Sequence, residues 1–67
     1  MTKTIRADQL QHGDVIDSTD ELDYVVDSPH DLPGGWTRFH IDVYSNWEEF
    51  SRYEMTKPAG EMMRVRA

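Results

Sequence analysis

Apolar and polar residues alternate without a break from Trp36 to Tyr44. Thr37, Phe39, Ile41 and Val43 fall on one side, and Trp36, Arg38, His40, Asp42 and Tyr44 on the other. Period-two alternation of this length predicts a half-buried strand. Phe39, Ile41 and Val43 are its expected core residues. Leu22–Asp27 predicts a second strand, with Leu22, Tyr24 and Val26 on one face and Asp23, Val25 and Asp27 on the other. Two prolines and two glycines in Ser28–Gly35 are expected to end it, because neither residue type continues a ladder cheaply.

Shorter signals flank these two strands. Val15 and Ile16 begin a strand after Gly13, which can take positive φ, and that strand ends in the acidic turn Asp17–Asp20. Asp8 is placed to cap a short helical turn through Leu10. The segment from Ser45 to Phe50 reads two ways. Asn46 and Glu49 have capping spacing for one helical turn with Trp47 and Phe50 inward, whereas Ser45-Asn46 suits a hairpin turn. The alternation of Phe50–Met55 favours the turn, followed by a strand near residues 50–56 in which Tyr53 and Met55 share a face. After the turn Pro58-Ala59-Gly60, the chain closes as a strand with Met63 and Val65 inward and Met62, Arg64 and Arg66 outward.

The fold class is therefore all-β, in one small domain over residues 1–67. About five short strands must curl to bury one face. A small Src-homology-3-like (SH3-like) barrel does this, and so does a curved antiparallel sheet with at most one helical turn.

Charge changes the functional picture. Residues 7–37 contain no lysine or arginine but hold Asp8, Asp14, Asp17, Asp20, Glu21, Asp23, Asp27 and Asp31. The net charge of −6 lies wholly in the first half of the chain, and the second half is balanced. A field of one sign attracts basic surfaces and repels nucleic-acid phosphates and anionic lipid. Solubility and protection of sheet edges account for the same acids more plainly. No apolar run approaches the roughly 20 residues that span a bilayer, and Met1–Arg6 lacks the apolar segment of a signal peptide. Together with the absence of cysteine, this sets a cytoplasmic expectation.

The opening Ala7-Asp8-x-Leu10-x-x-Gly13-Asp14-Val15-Ile16 resembles that of small barrel-like proteins in which a short turn feeds the first barrel strand. The whole layout resembles small non-structural proteins encoded by actinobacterial phages. The resemblance implies a barrel-like fold and a phage or host-regulation setting. It carries over no catalytic residue.

Candidate chemistry is sparse. Asp17, Asp20, Glu21 and Asp23 lack the alternate spacing and central glycine of a calcium loop. His12, His30 and His40 show no paired ligand spacing, and no cysteine offers a thiolate, so no metal or other cofactor is expected. No serine sits in a nucleophile motif, and Pro33-Gly34-Gly35-Trp36 lacks the lysine and helix of a phosphate loop. No catalytic residue is assigned, and the chain reads as a non-enzyme. Trp36, Arg38, His40 and Tyr44, with Arg64 and Arg66, could stack bases, but the net charge opposes phosphate binding.

The expected role is a non-enzymatic protein-binding module, in the resemblance's setting a modulator of a host protein. Asp17, Asp20, Glu21 and Asp23 would steer a basic protein partner, and outward Trp36, Tyr44 and Trp47 would anchor it. The partner is neither nucleic acid nor membrane. Alternatives are a homodimer through those aromatics and a nucleic-acid mimic whose carboxylates imitate phosphates.

Overall fold

The computed structural model describes the backbone of residues 1–67 and every side chain except that of Phe50. Six strands form one antiparallel sheet: β1 Thr2–Arg6, β2 Val15–Ile16, β3 Asp23–Leu32, β4 Trp36–Ser45, β5 Glu48–Pro58 and β6 Met62–Arg66. Their order in the sheet is β1-β6-β2-β3-β4-β5. β2 to β5 form a meander, β6 returns beside β2, and β1 lies outside β6. β1 and β5 are the two edges, so of the two expected arrangements the sheet is the open, curled one.

The core explains the curl. Leu10, Val26, Phe39, Ile41, Val43 and Val65 form one buried cluster, with Ile5, Ile16, Leu22, Tyr24, Met55 and Met63 packed against it. No second sheet covers these side chains among the described residues, so the sheet covers them by bending over its own inner face. β4 supplies three of the six core residues, and Thr37 is buried beside them. The expected facing of β4 and β6 holds, and Tyr53 and Met55 lie opposite Ile41 and Phe39 on the inner face.

Four expectations are corrected. β1 was not foreseen: only Ile5 of its residues is even half-buried, and it is held by pairing with β6 at the other end of the sequence. β3 does not stop at Ser28. It continues to Leu32 through a bulge between Asp27 and His30, where Ser28 takes φ 52°. A bulge disrupts the ladder locally, which is where a strand tolerates a proline such as Pro29. Asp8 is not the cap of the helical turn. The single 3-10 turn spans Ala7–Gln9, Arg6 precedes it, and the Arg6 N–H donates to Gln9 Oε1 at 3.0 Å. Asp8 instead accepts two 3.0 Å hydrogen bonds from the Arg6 guanidinium, which raises the Arg6 pKa. Asp42, expected outward, is only 8% exposed, because Arg52 of the neighbouring strand closes over it at 2.6 Å.

The 45–50 segment holds a hairpin turn, as its alternation favoured, but the turn is Asn46-Trp47 rather than Ser45-Asn46, and β5 already begins at Glu48. Asn46 and Trp47 take φ 51° and 70° at the tip. A register shift after Val43 gives β5 one extra residue there. The inward Phe50 of the helical alternative lies outside the described residues. Gly13 takes φ 93°, and its N–H donates to the Val26 carbonyl at 2.8 Å. The Val26 N–H in turn donates to the Asp14 carbonyl, which ties the entry of β2 to β3. Among the described residues, no helix is long and apolar enough to cross a membrane.

Candidate partner-binding site

The charges that are segregated along the sequence are mixed in space. Antiparallel pairing sets the arginines of β5 and β6 beside the acids of the first half. Arg52 donates to Asp27 and Asp42, at 2.6 Å each. Arg66 donates to Asp23 at 2.7 Å, and Arg64 lies 3.8 Å from Asp17. The Arg52 hydrogen bond, more than any other influence, holds the Asp27 carboxyl below its ordinary value, and its acidic partners raise the Arg52 pKa. An acid already paired with a guanidinium has little field left to steer a partner.

Asp20 has a local structural task. It accepts the Tyr24 hydroxyl at 2.5 Å, the Ser18 hydroxyl at 2.7 Å and the Leu22 N–H at 2.9 Å. These bonds, led by that of Tyr24, lower the Asp20 pKa, and the same contact raises that of Tyr24. Asp20 thus shapes the β2–β3 loop. Glu21 is exposed in that loop.

The predicted aromatics separate. Trp36 begins β4 and Tyr44 lies near its other end, eight residues and roughly 26 Å along the strand. Trp36 pairs with Leu32 and Pro58 on the adjoining strands, and a side chain built at Gly34 would meet its indole at 3.6 Å. It covers the β3–β4 turn and is 46% exposed.

Tyr44 and Trp47 do come together, on the outer face at the β4–β5 end. They line a shallow depression of about 420 Å³ with Val15, Val25, Asp23 and Arg66. The floor is apolar and the rim is the Asp23–Arg66 ion pair. Pairing also places Asp23 and Glu49 on either side of Tyr44 across the sheet. Trp47 is 93% exposed. Of the seven residues expected at a site, the structure gathers Asp23, Tyr44 and Trp47. Asp17, Asp20, Glu21 and Trp36 lie outside the depression. Sequence reasoning missed Val15, Val25 and Arg66. The available signal was Val25, the one apolar residue between Asp23 and Asp27 on the face away from the core.

A second depression, of about 490 Å³, opens on the inner face among Ile16, Tyr24, Tyr53, Met55 and Met63, with Lys57 at its rim. The histidines are dispersed: His12 contacts Asp27 at 2.7 Å, His40 lies 3.5 Å from Glu54, and His30 bonds the Ser28 carbonyl oxygen. Among the described residues no group of three or more ligating side chains is placed to hold a metal ion. No family model, curated protein or solved structure matches this chain.

Proposed function

We propose that the chain is a protein-binding module that engages its partner through the outer-face patch of Val15, Val25, Tyr44 and Trp47. One observation carries this reading. Trp47 holds a left-handed backbone at φ 70° while its indole stands 93% exposed. A tight hairpin tip with both residues at positive φ favours Asn-Gly, and here a tryptophan stands where the glycine is preferred. Such a conformation costs on the order of 1–3 kcal/mol in a non-glycine residue. Packing within the chain does not offset it, since the side chain touches little. A partner that buries the indole recovers the loss, and tryptophan is enriched among the residues that dominate interfaces.

The neighbouring charges favour a basic partner. Glu48 and Glu49 follow Trp47 directly. The steering acids are thus those near the hairpin tip rather than the Asp17–Asp23 cluster as a whole. Interleaved arginines work against nucleic-acid mimicry, which needs unpaired carboxylates in rows. The phage resemblance of the opening segment fits a modulator of a host protein.

Capture from a lysate of its source cells tests the reading. Wild type and Trp36→Ala should retain the same partner. Trp47→Gly should lose it, with affinity falling by about thirtyfold or more, the effect of deleting an interface hot spot. Equal retention by Trp47→Gly would sink the proposal.

A further inference from the structure

The fold spends its arginines on its own acids and leaves two carboxylates at the β4–β5 tip unmatched. Every arginine lies within ion-pair distance of an acid of this chain. Among the described residues, none of the ion pairs includes Glu48 or Glu49, and both side chains are exposed. Arg66 at the rim of the Trp47 depression is closed on Asp23 at 2.7 Å, so that pair adds no net charge there. Register sets Glu49 opposite Tyr44. Directly opposed side chains on paired strands lie about 4.5–5.5 Å apart at Cβ. A group resting on the Tyr44 ring is therefore within reach of the Glu49 carboxylate.

These parts select among the side chains a partner could insert. An aliphatic or aromatic anchor would fill the floor of Val15 and Val25, but it would draw Glu49 out of water with nothing to pair it, which is costly. A lysine ammonium would pair the carboxylate, yet it is a strongly hydrated point charge that gains little from a flat ring. An arginine meets every part of the surface. Its methylene stem covers apolar area, its planar guanidinium stacks on an aromatic face, and its fork of N–H donors matches a carboxylate. It is also the more weakly hydrated cation, so it loses less on leaving water.

We propose that the Tyr44–Trp47 depression receives an arginine side chain of the partner, stacked on the aromatic rings and paired with Glu49. This rests on the reading of the same face as the partner-binding surface and names the chemistry it recognises.

NMR titration of the isotope-labelled protein tests the assignment without the natural partner. The probes are a capped Gly-Arg-Gly peptide and the same peptide with lysine or with citrulline, the uncharged isostere of arginine. The Trp47 indole N–H is the reporter, and the Trp36 indole is the internal control. The titration belongs at physiological salt, because the net charge of −6 attracts any cation at low ionic strength. The arginine peptide should shift Trp47 and leave Trp36 in place. Citrulline should bind about tenfold more weakly or worse, the effect of losing a hydrogen bond between charged groups, and lysine should also bind more weakly than arginine. Glu49→Gln should bring the arginine peptide down to the citrulline level. Glu21→Gln, the same charge change in the exposed β2–β3 loop, should leave its affinity unchanged. Citrulline or lysine bound as tightly as arginine, or a Trp47 signal unmoved at millimolar peptide, would overturn the assignment. So would equal losses in Glu49→Gln and Glu21→Gln, which would reduce the effect to net charge. Failure of the partner reading itself shows elsewhere, as equal retention of the lysate partner by Trp47→Gly.

Discussion

The two hairpin turns that flank β4 solve the same problem with opposite choices. The β3–β4 turn, residues 33–35, puts glycines at φ 87° and 84°, where an L side chain is strained, and shelters under Trp36. The β4–β5 turn puts Asn46 and Trp47 at φ 51° and 70° and leaves the indole in solvent. The first turn serves the fold. The second holds a large apolar side chain away from the fold at a conformational cost. Within one molecule, the contrast separates residues selected for folding from a residue whose placement folding does not explain.

The largest expected effect falls on what both hairpins share. Phe39 lies fully buried midway along β4. Phe39→Ala should destabilise by about 3–5 kcal/mol, which would unfold most domains of this size. A denaturant titration showing a loss under about 1 kcal/mol would mean that the two turns are supported independently of this core.

The next substitution acts on the first turn alone. A Cβ at Gly35 meets no atom within 4 Å, so Gly35→Ala introduces strain without a clash. The expected loss is about 1–3 kcal/mol. At the second turn the sign should reverse. Trp47→Gly removes strain and little packing, so stability should rise by about 1 kcal/mol. If thermal unfolding shows Trp47→Gly destabilised instead, the indole supports the fold and the contrast between the turns collapses.

The first turn was legible because Pro33-Gly34-Gly35 carries its own chemistry, and β4 because its alternation is local. What stayed hidden depends on distant partners. β1 has almost no apolar face, and only β6 holds it. Asp42 obeys the alternation yet is buried, since Arg52, ten residues on, covers it. Pro29 punctuates the sequence without ending β3, because the backbone absorbs it in a bulge. The acidic stretch misled in the same way: a one-dimensional charge count cannot foresee which arginines pairing will bring beside Asp17, Asp23 and Asp27. At the site, Tyr44 and Trp47 were readable as outward aromatics. Their separation from Trp36 follows from their places at opposite ends of one strand, and the contribution of Val15 required the β2–β3 register.

The smallest effect concerns the link between the hairpins, where Arg52 of β5 joins Asp27 of β3 and Asp42 of β4. The Asp27 carboxyl titrates below its ordinary 3.8 because Arg52 hydrogen-bonds its charged form. Its contribution is complete above that ordinary value and is lost as pH falls through the lowered one. Asp27→Asn should therefore flatten part of the acid limb of the stability curve and leave its alkaline side unchanged. An acid limb with the same slope in both proteins would show that the three-strand link does not register in stability.

The pairing of β1 with β6 has a consequence for anything joined to this chain. The Ala67 N–H donates to the Met1 carbonyl at 3.1 Å, so both termini lie at one point, and Arg66, next to it, rims the Trp47 depression. A segment attached at either end would begin beside the patch. Short flexible tethers hold their cargo at effective concentrations in the millimolar range, so even a weakly attracted attached sequence would occupy this face much of the time.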